Sequence, residues 1–64
     1  MMNTNKTLSL RVYDKKNTIT DIHDVRMMFV DKFSNLFYYL EGSKELFKIP
    51  KSKYSTFMIR MGND

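Results

Sequence analysis

The sequence predicts an all-β protein, a small antiparallel β-meander or half-barrel of four to five strands. Apolar and polar residues alternate near the N-terminus, valine, phenylalanine and tyrosine crowd the middle, and polar segments separate the apolar runs. The 64 residues suffice for one small domain, which we assign to residues 7–61. Residues 1–6 are polar apart from two methionines, and we expect a disordered N-terminus there.

The first strand carries the cleanest pattern. Residues 7–13 read TLSLRVY, in which leucine or valine occupies every second position. Such alternation is typical of a strand with one buried and one wet face. The polar segment DKKN at 14–17 then predicts a turn, and the β-branched run TIT at 18–20 predicts a short returning strand.

Residues 22–41 have two interpretations. In the first, residues 25–30 and 36–40 are two strands joined by DKFSN, because their aromatic and β-branched residues suit a pleated surface. In the alternative, the fold is α+β, with one long helix at about residues 21–41 packed on a three-stranded antiparallel sheet. Apolar residues at spacings of three and four support that helix: Ile22, Val25, Phe29, Phe33, Leu36 and Leu40. The residue types favour the strands.

The last third predicts a hairpin and a final strand. Residues 38–49 read as strand, glycine-containing turn and strand, with Gly42 in the turn. Pro50 should end that strand, because proline cannot donate to a central ladder. Residues 51–53 are a polar link, and residues 54–61 form the last predicted strand.

The two central strands are apolar on both faces, which is unusual for a sheet with one wet face. Strict alternation puts one set of side chains of residues 25–30 on one face and the rest on the other: Val25, Met27 and Phe29 against Met28 and Val30. A chain of this size has too little mass to cover a second face. We therefore expect a dimer or partner interface made of Met28, Val30, Phe37 and Tyr39.

The net charge of +4 is concentrated in the last third of the chain. Residues 44–60 hold five basic residues and one acidic residue, whereas residues 1–43 hold six and five. We predict that a basic rim steers an acidic partner surface: Lys48, Lys51, Lys53 and Arg60. The same strip interleaves lysines with Phe47 and Tyr54, which is the composition of a single-stranded nucleic-acid site.

The composition argues against most kinds of metal-binding, phosphate-binding and catalytic site. Without cysteine there is no disulfide or thiolate metal site, and one histidine cannot form a multi-histidine zinc cage. With two glycines there is no phosphate-binding glycine loop. His23 lies between Asp21 and Asp24 but has no identifiable nucleophile to activate, so we predict no enzyme, no cofactor and no metal. No run of apolar residues is long enough for a membrane span, and we expect a cytoplasmic protein.

From Ile22 to Arg60 the sequence resembles, in outline, short orphan proteins of phages and mobile elements. The resemblance carries over no functional residue. It rests on a hairpin-like pattern of apolar residues together with one glycine and one proline: Ile22, Val25, Tyr38, Leu40, Gly42, Phe47, Ile49, Pro50, Tyr54, Phe57 and Ile59. Such phage accessory proteins commonly bind and block a host protein, including components of antiviral defence. The resemblance therefore implies a phage-encoded inhibitor that works in the host cytoplasm.

Two functions follow from these patterns. The first is a non-enzymatic interaction protein, a homodimer that binds a larger host protein and inhibits or modulates it. The alternative is a small nucleic-acid-binding β-barrel that uses the basic strip 44–60.

Overall fold

The computed structural model describes residues 7–61 as five β-strands and one short 3₁₀ turn. The elements are β1 (Leu8–Tyr13), β2 (Ile19–Val30), β3 (Leu36–Leu40), β4 (Leu46–Ile49), the 3₁₀ turn (Lys51–Lys53) and β5 (Thr56–Met61). The predicted all-β fold is confirmed. The alternative helix at about residues 21–41 is wrong, since that range holds most of β2 and all of β3. The expected disorder of residues 1–6 falls outside the described residues.

All neighbouring strands are antiparallel and form one open sheet in the order β4-β3-β2-β1-β5. Consecutive strands pair as hairpins, and β5 then returns to the far side of β1. Among the described residues β4 and β5 are the two edges, so the sheet is a half-barrel that does not close. We call the face that holds the core the inner face and the opposite one the outer face.

One long strand, β2, joins the two halves of this sheet. Its first part pairs with β1 and its last part pairs with β3. The sequence suggested two separate strands, at 18–20 and 25–30, but the four residues between them continue the strand. The strand can serve both halves because two β-bulges bend it near Val25.

Each bulge adds one residue to β2 that its neighbour does not match. Leu8 lies opposite Val25 and Leu10 lies opposite Ile22, so the chain advances three residues along β2 where it advances two along β1. On the side of β3, Val25 lies opposite Leu40 and Met27 lies opposite Tyr39, so the chain advances two residues along β2 where it advances one along β3. Asp24, inside the first bulge, has a φ of 60°, which L-residues adopt at a cost.

Two of the turns are built by an aspartate at their first position. Asp14 Oδ1 accepts hydrogen bonds from the amides of Lys16 and Thr18, at 2.8 and 2.9 Å. Asp31 Oδ1 repeats this geometry with the amides of Phe33 and Asn35, both at 2.9 Å. A carboxylate that accepts amides two and four residues ahead fixes a tight turn. The third hairpin turn instead uses Gly42 at a φ of 81°.

The core is small and lies on the inner face. Five apolar side chains are buried: Leu10, Val12, Val25, Leu36 and Tyr54. Half-buried residues from all five strands surround them: Leu8, Ile22, Met28, Tyr38, Leu40, Ile49 and Phe57. Burial raises the pKa of Tyr38, whose ring stacks on Phe47 at 5.2 Å between centroids.

Tyr54 fastens the chain before β5 to the β2–β3 turn. Its hydroxyl donates a hydrogen bond of 2.6 Å to the carbonyl oxygen of Ser34, and Asn35 Oδ1 accepts the amide of Lys51 at 3.0 Å. The sequence put Tyr54 at the start of the last strand, but that strand begins at Thr56. Tyr54 instead lies in the core ahead of β5, with its ring centroid 6.1 Å from that of Phe57.

The positive φ of Asp24 predicts the effect of two substitutions. Asp24→Gly should leave the free energy of unfolding nearly unchanged, because glycine adopts this backbone without strain. Asp24→Val should lower it by about 1–2 kcal/mol, because a β-branched residue resists the left-handed region. Urea denaturation measures both, with Thr20→Val as a control for valine elsewhere in β2. Equal stability of the two Asp24 variants would contradict the bulge geometry.

The Tyr54 hydroxyl predicts a second effect. Tyr54→Phe should lower the free energy of unfolding by about 1–2 kcal/mol, because the Ser34 carbonyl loses its donor in a partly buried site. Tyr13→Phe is the matched control, since the Tyr13 hydroxyl is in an exposed position, where it contacts the sulfur of Met58 at 3.5 Å and hydrogen-bonds with the Arg11 side chain. Urea denaturation should show no more than a small change for the control. A Tyr54→Phe variant as stable as the Tyr13 control would mean that this hydrogen bond does not matter.

Candidate interaction surface

The outer face of β2, β3 and β4 carries two rows of side chains that lie directly opposite one another. In the first row Phe29, Phe37 and Lys48 are neighbours across the three strands. In the second row the neighbours are Met27, Tyr39 and Leu46. We call the apolar members of these rows the outer patch: Met27, Phe29, Phe37, Tyr39 and Leu46.

The outer patch is exposed even though it is apolar. Met27, Leu46 and Phe29 are 48%, 43% and 39% exposed, and the two central rings, Phe37 and Tyr39, are half-buried. A whole large side chain has an area of about 150–250 Å², so the exposed fractions of these side chains together give an accessible patch on the order of 300 Å². The largest apolar patch on a monomer is commonly about 300–600 Å² and is often functional.

Cations border the patch and contact its rings. The Arg26 guanidinium lies 5.3 Å from the centre of the Tyr39 ring, and the Lys48 ammonium lies 5.9 Å from that of Phe37. Phe29 stacks on Phe37 from the neighbouring strand, at 5.1 Å between centroids. Phe37 therefore lies between a ring from β2 and a cation from β4, and these contacts hold the side chains of the patch in place.

The four residues predicted as an interface lie on two different faces. Phe37 and Tyr39 form the centre of the outer patch. Met28 lies opposite Tyr38 and packs against the core, and Val30 lies opposite Leu36 on the inner face, 41% exposed. The register of the β2–β3 hairpin causes this separation, because Phe29 lies opposite Phe37 whereas Met28 and Val30 lie opposite Tyr38 and Leu36. The second bulge places Val25 on the same face as Met28 and leaves Met27 on the outer face.

The predicted basic rim is also divided. Lys48 lies on the outer face of β4 beside Phe37, and Lys51 and Lys53 belong to the 3₁₀ turn. Arg60 is on β5, at the opposite edge of the sheet from β4. The structure therefore joins only Lys48 to the outer patch, and it adds Arg26, which the sequence did not single out.

The aromatic residues of the basic strip face inward. Phe47 is half-buried against Tyr38, and Tyr54 is 9% exposed with its hydroxyl bound to Ser34. The inward position of Phe47 and Tyr54 counts against a stacking platform, because bases need the face of an accessible ring. The nucleic-acid alternative stays a prediction. The lysines of the strip stay exposed.

A second candidate site is a groove of about 590 Å³ on the outer side of β1, β2 and β5. In it Arg11 forms a bidentate ion pair with Asp21, at 2.8 and 3.2 Å, and this pair lowers the pKa of Asp21. Ser9 Oγ lies 3.3 Å from His23 Nδ1. Within residues 7–61 no further hydrogen bond orients the His23 ring, and the groove is open to water. The arrangement therefore lacks the third group that positions a catalytic base.

The described residues include no cluster of three or more histidine and acidic side chains that suits a metal ion. Across residues 7–61 the structure contains no helix with the length and apolar character needed to cross a membrane.

Compared with known proteins, the chain matches no protein-family model, no curated protein and no solved structure. The geometry of the outer patch therefore carries the functional argument by itself.

Asp31 sits at the end of β2 that leads into the outer patch, and its charge is stabilised there. Hydrogen bonds from the amide and side chain of Asn35 and from the amide of Phe33 lower its pKa, and the positive charge of Lys48 adds to this effect. A carboxyl whose pKa is lower in the folded state stabilises the fold above its unfolded pKa. That contribution disappears as the pH falls through the folded pKa.

The Asp31 turn predicts a pH dependence of stability. Between about pH 5 and pH 2 the wild type should lose more stability than Asp31→Asn, because only the wild type must protonate this hydrogen-bonded carboxylate. At pH 7 the variant should already be the less stable of the two. Urea midpoints across this range measure the effect, and parallel curves for the two proteins would contradict it.

Proposed function

We propose that the chain is a non-enzymatic interaction protein whose outer patch binds a larger protein and thereby inhibits or modulates it. The observation that supports this is the outer patch itself. Five apolar side chains lie side by side on the water-exposed face of a sheet whose other face already holds the core. Aromatic residues and methionine are the types enriched in the cores of protein interfaces.

The borders of the patch suggest the chemistry of the partner. Arg26 and Lys48 contact the two central rings, and the protein carries a net charge of +4. A partner that fits has an apolar site rimmed by carboxylates, because these pair with the two cations while its centre covers the rings. The patch is smaller than the roughly 800 Å² per partner of a standard interface, so flanking residues also make contact.

Phe37 and Tyr39 should contribute most to the affinity. They lie at the centre of the patch, and their neighbours hold them before the partner arrives. Rigid aromatic residues at the centre of an interface commonly dominate the binding free energy, because little conformational entropy is lost when they bind. The context implied by the resemblance, a phage inhibitor of a host defence system, remains a prediction.

The alternative, a nucleic-acid-binding barrel, has less support. The three aromatic residues of the strip 44–60, Phe47, Tyr54 and Phe57, face the inner side of the sheet. Phe37 is flanked on both sides by Phe29 and Lys48. Binding of single-stranded DNA or RNA with a steep loss of affinity at rising salt would favour that alternative over a protein partner.

A pair of surface variants tests the proposed function. Immobilised wild type should capture a host protein, and Met27→Lys/Phe29→Lys should weaken binding of the purified protein by about tenfold or more, since it puts two charges into the apolar contact. The matched control is Ile19→Lys, which changes a 49% exposed residue at the other end of the same strand. The measurement is titration calorimetry, followed by an activity assay of the captured protein.

Charge reversal gives a second readout on the same complex. Arg26→Glu/Lys48→Glu should slow association, more at low salt than at high salt, because these cations attract an acidic surface before contact. A captured protein that binds the Met27→Lys/Phe29→Lys variant as tightly as the wild type would overturn the proposal.

A further inference from the structure

The two edges of the open sheet differ in how well they are protected from pairing with another strand. β4 has four residues, one of which is the exposed Lys48, and Pro50 ends it. A short edge strand with lysine and a terminal proline resists strand addition. Within residues 7–61, the other edge has neither a lysine nor a proline.

That edge, β5, is longer and more apolar. Its six residues read TFMIRM, and Arg60 is the single charge among them. Met61, Met58 and Ile59 are 66%, 56% and 44% exposed, and they project from both faces of the strand. An exposed apolar edge strand presents unpaired amide and carbonyl groups between side chains that favour burial.

We propose that β5 pairs antiparallel with β5 of a second copy of the chain, forming a twofold dimer with a continuous ten-stranded sheet. The contacts are self-complementary. In an antiparallel pair, opposite residues share a face, so with the axis at Ile59 the inner-face residues Phe57, Ile59 and Met61 meet the same three residues of the partner copy. With the axis at Met58 or Ile59, Arg60 lies opposite Thr56 or Met58 and not opposite its own copy.

A second copy fits better than a mixed edge-to-edge pairing. If β5 of one copy paired with β4 of another, each added copy would expose a new edge and the assembly would not close. Lys48 on β4 and Pro50 directly after it disfavour this arrangement. Pairing of β5 with β5 removes both apolar edges and leaves the two protected β4 edges at the ends, so association stops at two chains.

The dimer leaves the outer patch free. β5 and the β2–β3–β4 outer face are separated in the sheet by β1, so both surfaces can be occupied at once. The inference does not rest on the proposed function, and the two can fail separately. The sequence predicted a homodimer through four residues of β2 and β3, whereas this proposal places the dimer interface on β5.

The test is the mass of the full chain by light scattering over a dilution series. The wild type should be a dimer that dissociates on dilution, and Met58→Lys/Met61→Lys should raise the dissociation constant by about tenfold or more, because lysines on an edge oppose pairing. The matched control is Met27→Lys/Phe29→Lys, which should remain a dimer. Circular dichroism checks that each variant is folded.

Amide hydrogen exchange gives an independent measurement without a substitution. Amides of β5 should exchange more slowly at high protein concentration than at low concentration, whereas those of β4 should exchange equally at both. A wild type that stays monomeric with concentration-independent β5 exchange overturns the proposal. A dimer that persists in Met58→Lys/Met61→Lys but dissociates in Met27→Lys/Phe29→Lys also overturns it. Growth of the wild type into assemblies larger than a dimer overturns it as well.

Discussion

In β2, Asp24 and Arg26 each belong to a bulge that the neighbouring strands do not match, and Val25 between them is completely buried. The bend that results lets one strand pair with β1 at one end and β3 at the other. It also brings Ile22, Val25 and Met28 to the inner face. The core and the outer patch both depend on this constraint, because the same bend that turns Val25 inward turns Met27 outward.

The small size of the chain explains why so much apolar surface stays outside. Among residues 7–61 five apolar side chains are buried, whereas nine large ones are exposed. A half-barrel of five strands has one enclosed side, and that side is already filled by Leu10, Val25, Leu36 and their neighbours. The remaining apolar side chains are not scattered, since most lie either in the outer patch or on β5. Their grouping suits a protein that completes its burial by association.

Local signals predicted the strands well. The alternation of residues 7–13 predicted β1, Asp14 and Gly42 lie in predicted turns, and Pro50 follows the end of β4. The bulges could not be recognised, because an unmatched residue leaves no mark on composition. Their effect is to place inward-facing residues three apart, at Ile22, Val25 and Met28, which is also the spacing of a helix. The step from Ile22 to Val25 is part of the helical spacing behind the α+β alternative. Strict alternation carried across the second bulge placed Met28 on the face opposite Val25 and so assigned it to the interface.

The basic strip shows a different limit of sequence reasoning. Residues that are close in sequence, Lys48 to Arg60, are divided among two opposite edges and a 3₁₀ turn once β5 returns to β1. Tyr54 is buried because its hydroxyl reaches Ser34, which is 20 positions away. Arg26 joins the patch only because Tyr39 lies on the adjacent strand. Such positions follow from pairing between distant segments, and pairing partners cannot be read from composition.

The return of β5 to β1 also has a consequence for how the chain folds. Leu8 lies opposite Met61, so this ladder joins the two ends of the described chain, whereas the other three ladders are hairpins between consecutive strands. Closing a long loop costs more entropy than closing a short one, and contacts between distant residues form late. The hairpins can therefore assemble first, with the far side of β1 unpaired until β5 arrives. We therefore expect β5, the strand that completes the sheet, to join it last.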